Sequence, residues 1–211
     1  MPLYKTIDVN SNTQILVWKI TESLAQLSLE VQLNPTNTIR FNTMKSELHQ
    51  RAFLSVRKLL QQKGYTDFDL EYDQFGKPHL KNGNHISISH SHEFSTIIIS
   101  NQKVGIDIEL QREKIIKIAD KFLLSEFDFL DQTKQQDYIT KLTVIWGIKE
   151  SIFKIRNETG ISFKNHIQVK PFQINDKSGS AGLHFQNKIE NFTFQFEEIE
   201  NFSLVYVFEK Q

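Results

Sequence analysis

Two acidic side chains stand two residues apart in a short segment that alternates between apolar and polar positions. The segment VGIDIE, residues 104–109, places Asp107 and Glu109 on its polar positions. Because side chains alternate sides along a β-strand, both carboxylates would share one face. Like charges so close raise each other's pKa unless a cation lies between them, and Mg²⁺ favours such oxygen ligands. The alternative is an ordinary strand face exposed to solvent.

A second group of charged residues interrupts a helical pattern in WGIKESIFK, residues 146–154. At about 100° per residue, Lys149 falls near the middle of an apolar arc, Glu150 lies at its edge, and Lys154 is four residues further on. An exposed Glu–Lys pair at this spacing is a common alternative and contributes only about 0.3–0.5 kcal/mol. It does not explain Lys149, because a lysine is costly to bury. The pattern predicts a carboxylate and two ammonium groups facing a cleft that holds an anion.

A third set of polar residues lies in GKPHL, residues 76–80, and in SISH, residues 87–90. The turn combines a glycine that allows close backbone approach, a lysine that offers a cation and a proline that stiffens the chain: Gly76, Lys77 and Pro78. In the second segment, Ser89 occupies one strand face. His90 follows at the strand end, where it could donate to a phosphate or cap a loop.

The overall composition excludes several classes of protein. The 211 residues carry 25 Lys and Arg against 25 Asp and Glu, so the formal net charge is +0. A balanced charge argues against a general binder of nucleic acid or membrane surfaces. The absence of cysteine excludes a disulfide scaffold, a thiolate nucleophile and a Cys-ligated metal site. With no leader pattern and no apolar run of roughly 18 to 20 residues, we expect a cytoplasmic protein without a membrane partner.

Two long helices and several short strands are expected to position these residues. Apolar residues recur at helical spacing over residues 44–64 and again from about 136 to 156. Between them the period changes to two in three runs, residues 85–89, 95–100 and 104–109, which we interpret as an antiparallel meander. Alternation returns after the second helix. The repeated order of helix then strands predicts an α+β fold.

Taken in chain order, these segments resemble the signatures of the 4′-phosphopantetheinyl transferases, of the double-length type that activates surfactin synthetase. The segments are GKPHL, SISH, VGIDIE, FLLSEF (residues 122–127) and WGIKESIFK. The G-I-D-x-E and W-x-x-K-E-x-x-x-K elements match at every fixed position. Each short motif is weak alone, whereas five in order are specific. The resemblance covers about residues 76–163.

The resemblance implies a pseudodimer of two similar halves, residues 1–103 and 104–211, each with a long helix packed on a small antiparallel sheet. The active site would lie in the cleft between the halves. Such enzymes move the 4′-phosphopantetheine group of coenzyme A onto a serine of an apo acyl or peptidyl carrier protein and release adenosine 3′,5′-bisphosphate. They require Mg²⁺, and their long members act as monomers.

The resemblance also assigns roles to individual residues. Asp107, Glu109 and Glu150 would bind Mg²⁺, and Glu150 would also be the general base that takes the serine proton. Lys154 would neutralise charge on the leaving phosphate. The coenzyme A-binding residues would be Gly76, Lys77, Pro78, Ser89, His90, Lys149 and Lys154. Further candidates are Lys45, Arg51 and Arg57 for the 3′-phosphate, and Glu126 at the metal's water shell or the carrier interface.

Two other functions stay open at this point. The first is a protein that binds coenzyme A or a nucleotide without transferase activity, but pure binding would not need three carboxylates. The second is a different Mg²⁺-dependent phosphoesterase, which would also use clustered carboxylates. It gives no reason for a lysine in the apolar arc or for the Gly-Lys-Pro turn.

Overall fold

The computed structural model describes residues 3–210, and its chain separates into two compact units between Gln102 and Lys103. We call residues 3–102 unit 1 and residues 103–210 unit 2. Each unit combines an antiparallel sheet with α-helices. The predicted α+β fold is therefore confirmed, whereas the pseudodimer arrangement stays a prediction.

Unit 1 has a four-stranded antiparallel sheet and a separate two-stranded one. Its strands are β1 (Leu3–Asn10), β2 (Thr13–Lys19), β3 (Leu70–Tyr72), β4 (Pro78–Leu80), β5 (His85–Ser91) and β6 (Phe94–Ser100). Its helices are α1 (Leu24–Glu30), α2 (Pro35–Thr43) and α3 (Glu47–Gln61). The larger sheet has the order β1-β2-β6-β5, and β3 pairs with β4.

Helix α3 packs on β2 and β6 and supplies much of the apolar core of unit 1. Its buried side chains include Val56, Leu59 and Leu60, each at most 2% exposed. Burial of a large aliphatic side chain contributes about 1.5–3 kcal/mol. The helix predicted over residues 44–64 begins later, at Glu47, because Met44 adopts an extended conformation that ends α2.

Unit 2 has a five-stranded antiparallel sheet in the order β7-β11-β10-β9-β8. Its strands are β7 (Val104–Leu110), β8 (Ile167–Val169), β9 (Ser178–Phe185), β10 (Lys188–Ile199) and β11 (Phe202–Glu209). Its helices are α4 (Ala119–Phe122), α5 (Gln135–Arg156) and α6 (Phe163–His166), and 3₁₀ turns cover Glu113–Ile118 and Ser125–Phe129. Within residues 3–210, no helix, α5 included, is apolar over a length that could cross a membrane.

The three strands predicted as one meander belong to two sheets, so that prediction is wrong. Strands β5 and β6 do pair antiparallel, but the second edge of β6 is taken by β2. Strand β7 pairs instead with β11, near the other end of unit 2, where Asp107 lies opposite Val205. Alternation along a strand identifies its faces and not its partner, so the local pattern could not reveal this pairing.

Helix α5 lies on β7 and β11, and a glycine allows its close approach. A Cβ atom added at Gly105 of β7 would overlap the backbone carbonyl of Ser151 on α5. On the helix side, a Cβ added at Gly147 would lie 2.9 Å from Cγ2 of Val205. Glycines on the strand and on the helix therefore allow the helix backbone to pack in close contact with the strand.

We predict that Gly105→Ala destabilises the protein by about 2 to 3 kcal/mol, because the added methyl group must push α5 away from β7. Urea unfolding of wild type and variant measures the difference. Gly182→Ala on β9 is the matched control, since its added Cβ would meet nothing closer than 3.6 Å. Equal losses of stability in the two variants would contradict the close approach.

Candidate active site

A buried carboxylate on β7 forms the centre of the polar cluster in unit 2. Asp107 is 3% exposed, and the Nζ atom of Lys154 on α5 donates to its Oδ1 atom over 2.8 Å. The same ammonium donates to the carbonyl oxygen of Ile106 over 2.8 Å. The alternative of a solvent-exposed strand face is therefore excluded for Asp107, whose side chain lies between the sheet and the helix.

Glu150, one turn before Lys154 on α5, is the group whose ionisation the site perturbs most clearly. Burial, followed by the negative charge of Asp107, raises the pKa of Glu150 to about 7, and Lys154 opposes the rise. The effect of Asp107 means that the two carboxyl groups are close enough to repel each other. At neutral pH, Glu150 is thus present in both protonation states, which suits a group that accepts a proton.

The donor chemistry of this pair fits a magnesium ion. Mg²⁺ is commonly held by one or two carboxylates and completes its shell with water and substrate phosphates. Asp107 and Glu150 meet that requirement, since a cation between them would relieve their repulsion. Over the described residues, no group of three or more His, Cys, Asp or Glu side chains is arranged to hold a metal. The part of Glu109 as a third ligand stays a prediction.

Glu109 lies two residues beyond Asp107, at the edge of a cavity of about 250 Å³. The cavity is also lined by two basic residues, Arg112 and Lys114, and by the indole of Trp146. That ring packs against Phe122 at 5.2 Å between centroids. An apolar wall and cationic groups thus lie beside the acidic strand.

The structure differs from the sequence prediction at Lys149. Its side chain is 0% exposed, and its Nζ atom lies 2.7 Å from Oε1 of Glu126. The remaining donors reach the carbonyl oxygens of Phe122 and Phe163, at 2.7 and 3.0 Å. Burial lowers the pKa of Lys149, and the Glu126 carboxylate opposes that change. A lysine so enclosed does not face an anion cleft, so its surroundings give no support to the prediction that it contacts the coenzyme's phosphates.

Glu126 is also enclosed. Its carboxylate is 1% exposed and accepts hydrogen bonds from the backbone N–H groups of Leu124 and Val169, each over 3.0 Å. The expected role at the metal's water shell or on the carrier interface does not fit this burial. Periodicity could show that Lys149 falls in an apolar arc, but not that an acidic partner lies 23 residues earlier in the chain.

The predicted nucleotide-side residues of unit 1 occupy a defined turn between β3 and β4. Gly76 has φ of +84°, a conformation that favours glycine. The Oδ1 atom of Asp73 accepts from the N–H groups of Phe75 and Lys77, at 2.9 and 3.0 Å. Pro78 begins β4. The sequence prediction of a rigid Gly-Lys-Pro turn thus agrees with the local geometry.

The SISH segment forms most of β5, and its last residue meets a histidine that sequence analysis did not identify. Ser89 is buried and His90 is exposed. The ring of His49, on α3, lies 6.1 Å from the ring of His90. Two imidazoles therefore stand together at one edge of unit 1. No local signal identifies His49, because its partner is 41 residues away in the chain.

Two of the three basic residues suggested for the 3′-phosphate have structural roles. Arg57 is 2% exposed, and its Nε atom donates to Asp67 over 2.8 Å while its guanidinium stacks 3.5 Å from the centre of the Phe53 ring. A guanidinium this buried gives no support to the predicted contact with the 3′-phosphate. Arg51 donates to the carbonyl oxygens of residues 20 and 22. Lys45 is exposed just before α3.

The polar cluster falls in a part of the chain that has known relatives. Residues 103–207, just under half of the chain, match the family model of the 4′-phosphopantetheinyl transferase superfamily. The resemblance inferred from the motifs is thereby confirmed at the level of the superfamily.

A curated relative supports the same assignment. The chain is 34% identical over 128 residues to the 4′-phosphopantetheinyl transferase gsp of Aneurinibacillus migulanus. The alignment covers 60% of this chain and 52% of that protein, so the chain spans about half the length of the curated relative it matches.

We predict that Glu150→Gln stabilises the metal-free protein more at pH 8 than at pH 5. The fold raises the pKa of Glu150 from 4.5 to about 7, so ionising this group costs the folded state free energy. The cost is absent below the unfolded pKa, grows between pH 4.5 and 7, and is complete above pH 7, at about 3 kcal/mol.

Thermal unfolding in a chelating buffer at several pH values measures this effect as the difference in Tm between variant and wild type. Glu198→Gln, at an exposed carboxyl on β10, is the control and should show no such trend. A Tm difference for Glu150→Gln that stays constant from pH 5 to pH 8 would contradict the prediction.

Proposed function

We propose that the protein transfers the 4′-phosphopantetheine group of coenzyme A to a serine hydroxyl of an apo acyl or peptidyl carrier protein, with Mg²⁺, releasing adenosine 3′,5′-bisphosphate. The observation that carries the proposal is the triad of Asp107, Glu150 and Lys154, inside the segment that matches the transferase superfamily. The triad provides a proton acceptor, two carboxylates that can bind a metal ion, and a cation that can bind a phosphate group.

In the proposed reaction, Glu150 takes the proton of the carrier serine. Burial raises the pKa of Glu150 to about 7 in the metal-free protein, and a bound cation would lower it toward the ionised form that accepts a proton. The serine oxygen then bonds to the phosphorus on the pantetheine side. The bond from that phosphorus to the bridging oxygen breaks, and its electron pair leaves with adenosine 3′,5′-bisphosphate. Glu150 afterwards releases its proton to solvent.

Charge on the diphosphate is balanced by two cations in this proposal. Mg²⁺ would be held by Asp107 and Glu150, with Glu109 as the predicted third ligand. When bound, the ion would neutralise part of the negative charge of the diphosphate. Lys154 is held by Asp107 and the carbonyl of Ile106, so its ammonium is already oriented. A cation fixed before the reaction stabilises the leaving group without reorganisation.

We propose that the coenzyme's nucleotide is bound by residues of unit 1. The turn of Gly76, Lys77 and Pro78 would contact the adenine and ribose, and Ser89 with His90 would contact phosphate. His49 extends this set, since its ring adjoins that of His90. Two imidazoles can each donate to one phosphate, and they replace Arg51 and Arg57 as candidates for the 3′-phosphate.

We also propose the double-length type of transferase, acting as a cytoplasmic monomer. Support for the type comes from motif residues in both units, in the turn at residues 76–80 as well as around Asp107. The lack of cysteine suits a reducing compartment.

We predict that wild-type protein, incubated with coenzyme A, Mg²⁺ and an apo carrier, adds the mass of one phosphopantetheine group to the carrier. Asp107→Asn, Glu109→Ala and Glu150→Gln should each reduce the transfer rate by about 10³-fold or more, because they remove metal ligands or the base. Mass spectrometry of the carrier measures the product, and Glu198→Gln should react like wild type.

The same assay separates the alternatives. Coenzyme A that is bound but unchanged would indicate a binding protein without transferase activity. Cleavage of the diphosphate in the absence of a carrier would indicate a phosphoesterase. Either result, with no modified carrier, would contradict the proposed function.

We predict that His49→Gln raises the KM for coenzyme A by about tenfold and leaves the KM for dephospho-coenzyme A within twofold, since one phosphate hydrogen bond to a charged group is worth about 1.5 kcal/mol. Steady-state transfer assays with the two substrates measure the ratio. His184→Gln, at an exposed histidine of β9, is the control. A similar change for both substrates would refute a role at the 3′-phosphate.

A further inference from the structure

The buried ion pair of Glu126 and Lys149 has a complete set of hydrogen-bond partners. The ammonium of Lys149 has three donors, and they reach Glu126, the carbonyl of Phe122 and the carbonyl of Phe163, all within 3.0 Å. The carboxylate accepts in addition from two backbone N–H groups. With 0% and 1% of the side chains exposed, the pair neither reaches solvent nor has capacity left for a ligand.

This pair connects four segments that are distant along the chain. Lys149 belongs to α5, the carbonyl of Phe122 ends α4, Glu126 lies in the 3₁₀ turn that follows, and the carbonyl of Phe163 begins α6. Glu126 also holds the N–H group of Val169 on β8. The pair therefore fixes α5 to α4, α6 and β8, and β8 is the strand at the opposite edge of the sheet from β7.

The position of the pair determines which way the neighbouring residue faces. Successive residues on a helix are about 100° apart, so a Lys149 side chain fixed on one side of α5 sets the direction of Glu150. Lys154, one turn after Glu150 on α5, contacts Asp107 on β7 over 2.8 Å, and Glu150 is close enough to Asp107 for the two charges to interact. A small rotation of α5 would move the Glu150 carboxyl group away from Asp107.

A need for stability alone does not explain this pair. Desolvation of two charges cancels most of their attraction, and apolar residues of similar volume often give equal or greater stability. An ion pair differs from an apolar contact because its hydrogen bonds permit only one relative placement of the partners. Such a pair therefore determines the placement of α5 more than it contributes to the stability of the protein.

We propose that Glu126 and Lys149 are positioning residues, which set the rotation of α5 and so align Glu150 with Asp107 for metal binding and proton transfer, without contacting any substrate. The inference rests on the proposed function, because Glu150 is taken there as the base. It replaces the phosphate and water-shell roles that the motifs suggested for the two residues.

The double variant Glu126→Gln/Lys149→Met tests the proposal, since it removes both charges and leaves neither one buried alone. Either single variant should lower Tm by about 10 °C, because it leaves an unpaired buried charge. The double variant should recover most of that loss. Its kcat should nevertheless stay about 100-fold below wild type, with the KM values for coenzyme A and carrier within threefold, because Glu150 is misplaced.

A second measurement reports on the site without turnover. Calorimetric titration of Mg²⁺ into protein saturated with coenzyme A should give about tenfold weaker binding for the double variant. The conservative Glu126→Asp keeps both charges of the pair but shortens the side chain, and it should lower kcat by about tenfold with a smaller loss of Tm than either charge-removing single variant. It therefore provides a result even if the double variant does not fold.

The ion pair of Arg156 and Glu190 is the matched control, because it joins the last turn of the same helix to β10. Arg156→Met/Glu190→Gln should change Tm but leave kcat and Mg²⁺ affinity at wild-type values. Recovery of kcat together with Tm in the Glu126/Lys149 double variant, or wild-type kcat in Glu126→Asp, would overturn the proposal.

These outcomes are distinct from a failure of the proposed function. If wild-type protein transfers nothing to the carrier, the function is wrong whatever the variants do. If wild-type protein is active and the double variant equals it, only the positioning role is wrong.

Discussion

The contact between the Asp107 carboxylate and the Lys154 ammonium is the interaction on which the rest of the site depends. It joins β7 to α5 across a distance that glycine makes possible, since a side chain at position 105 would collide with the helix backbone. The same closeness places Glu150 within the field of Asp107. An acidic pair with one compensating cation is left with excess negative charge, which is what a divalent cation would balance.

Three charged residues of α5, Lys149, Glu150 and Lys154, have different environments although they lie within six positions. Lys149 is fully enclosed and neutralised by Glu126, Lys154 is partly exposed and bonded to Asp107, and Glu150 carries the perturbed pKa. One helix therefore uses different sides for anchoring and for chemistry. This division follows from the 100° step between residues, which turns neighbours in sequence toward different surroundings.

Much of the local structure could be predicted from the sequence. Helical periodicity located α5 to within a residue of Gln135–Arg156, and alternation located β7, because both signals are contained in short stretches. The pairing of β7 with β11 could not be predicted, since the partners are about 100 residues apart and many alternating strands would satisfy β7 equally well.

The partners of the charged residues could not be predicted from the sequence either. A lysine in an apolar arc was recognised as unusual, but the sequence could not tell an anion cleft from a buried carboxylate, because both neutralise the charge. Arg57 was assigned to a phosphate for the same reason, whereas Asp67 pairs with it in the core of unit 1. The sequence does not relate His49 to His90, because only the folded structure of unit 1 brings their rings to within 6.1 Å of each other.

The central claim is that Asp107 and Glu150 share one divalent cation. Anomalous diffraction from crystals grown with Mn²⁺ and coenzyme A, recorded at the manganese edge, tests it most directly. The account predicts one strong peak about 2.1 Å from a carboxylate oxygen of each residue and from a phosphate oxygen of the coenzyme. A coenzyme bound with no peak between the two carboxylates, or a peak at other residues, would contradict it.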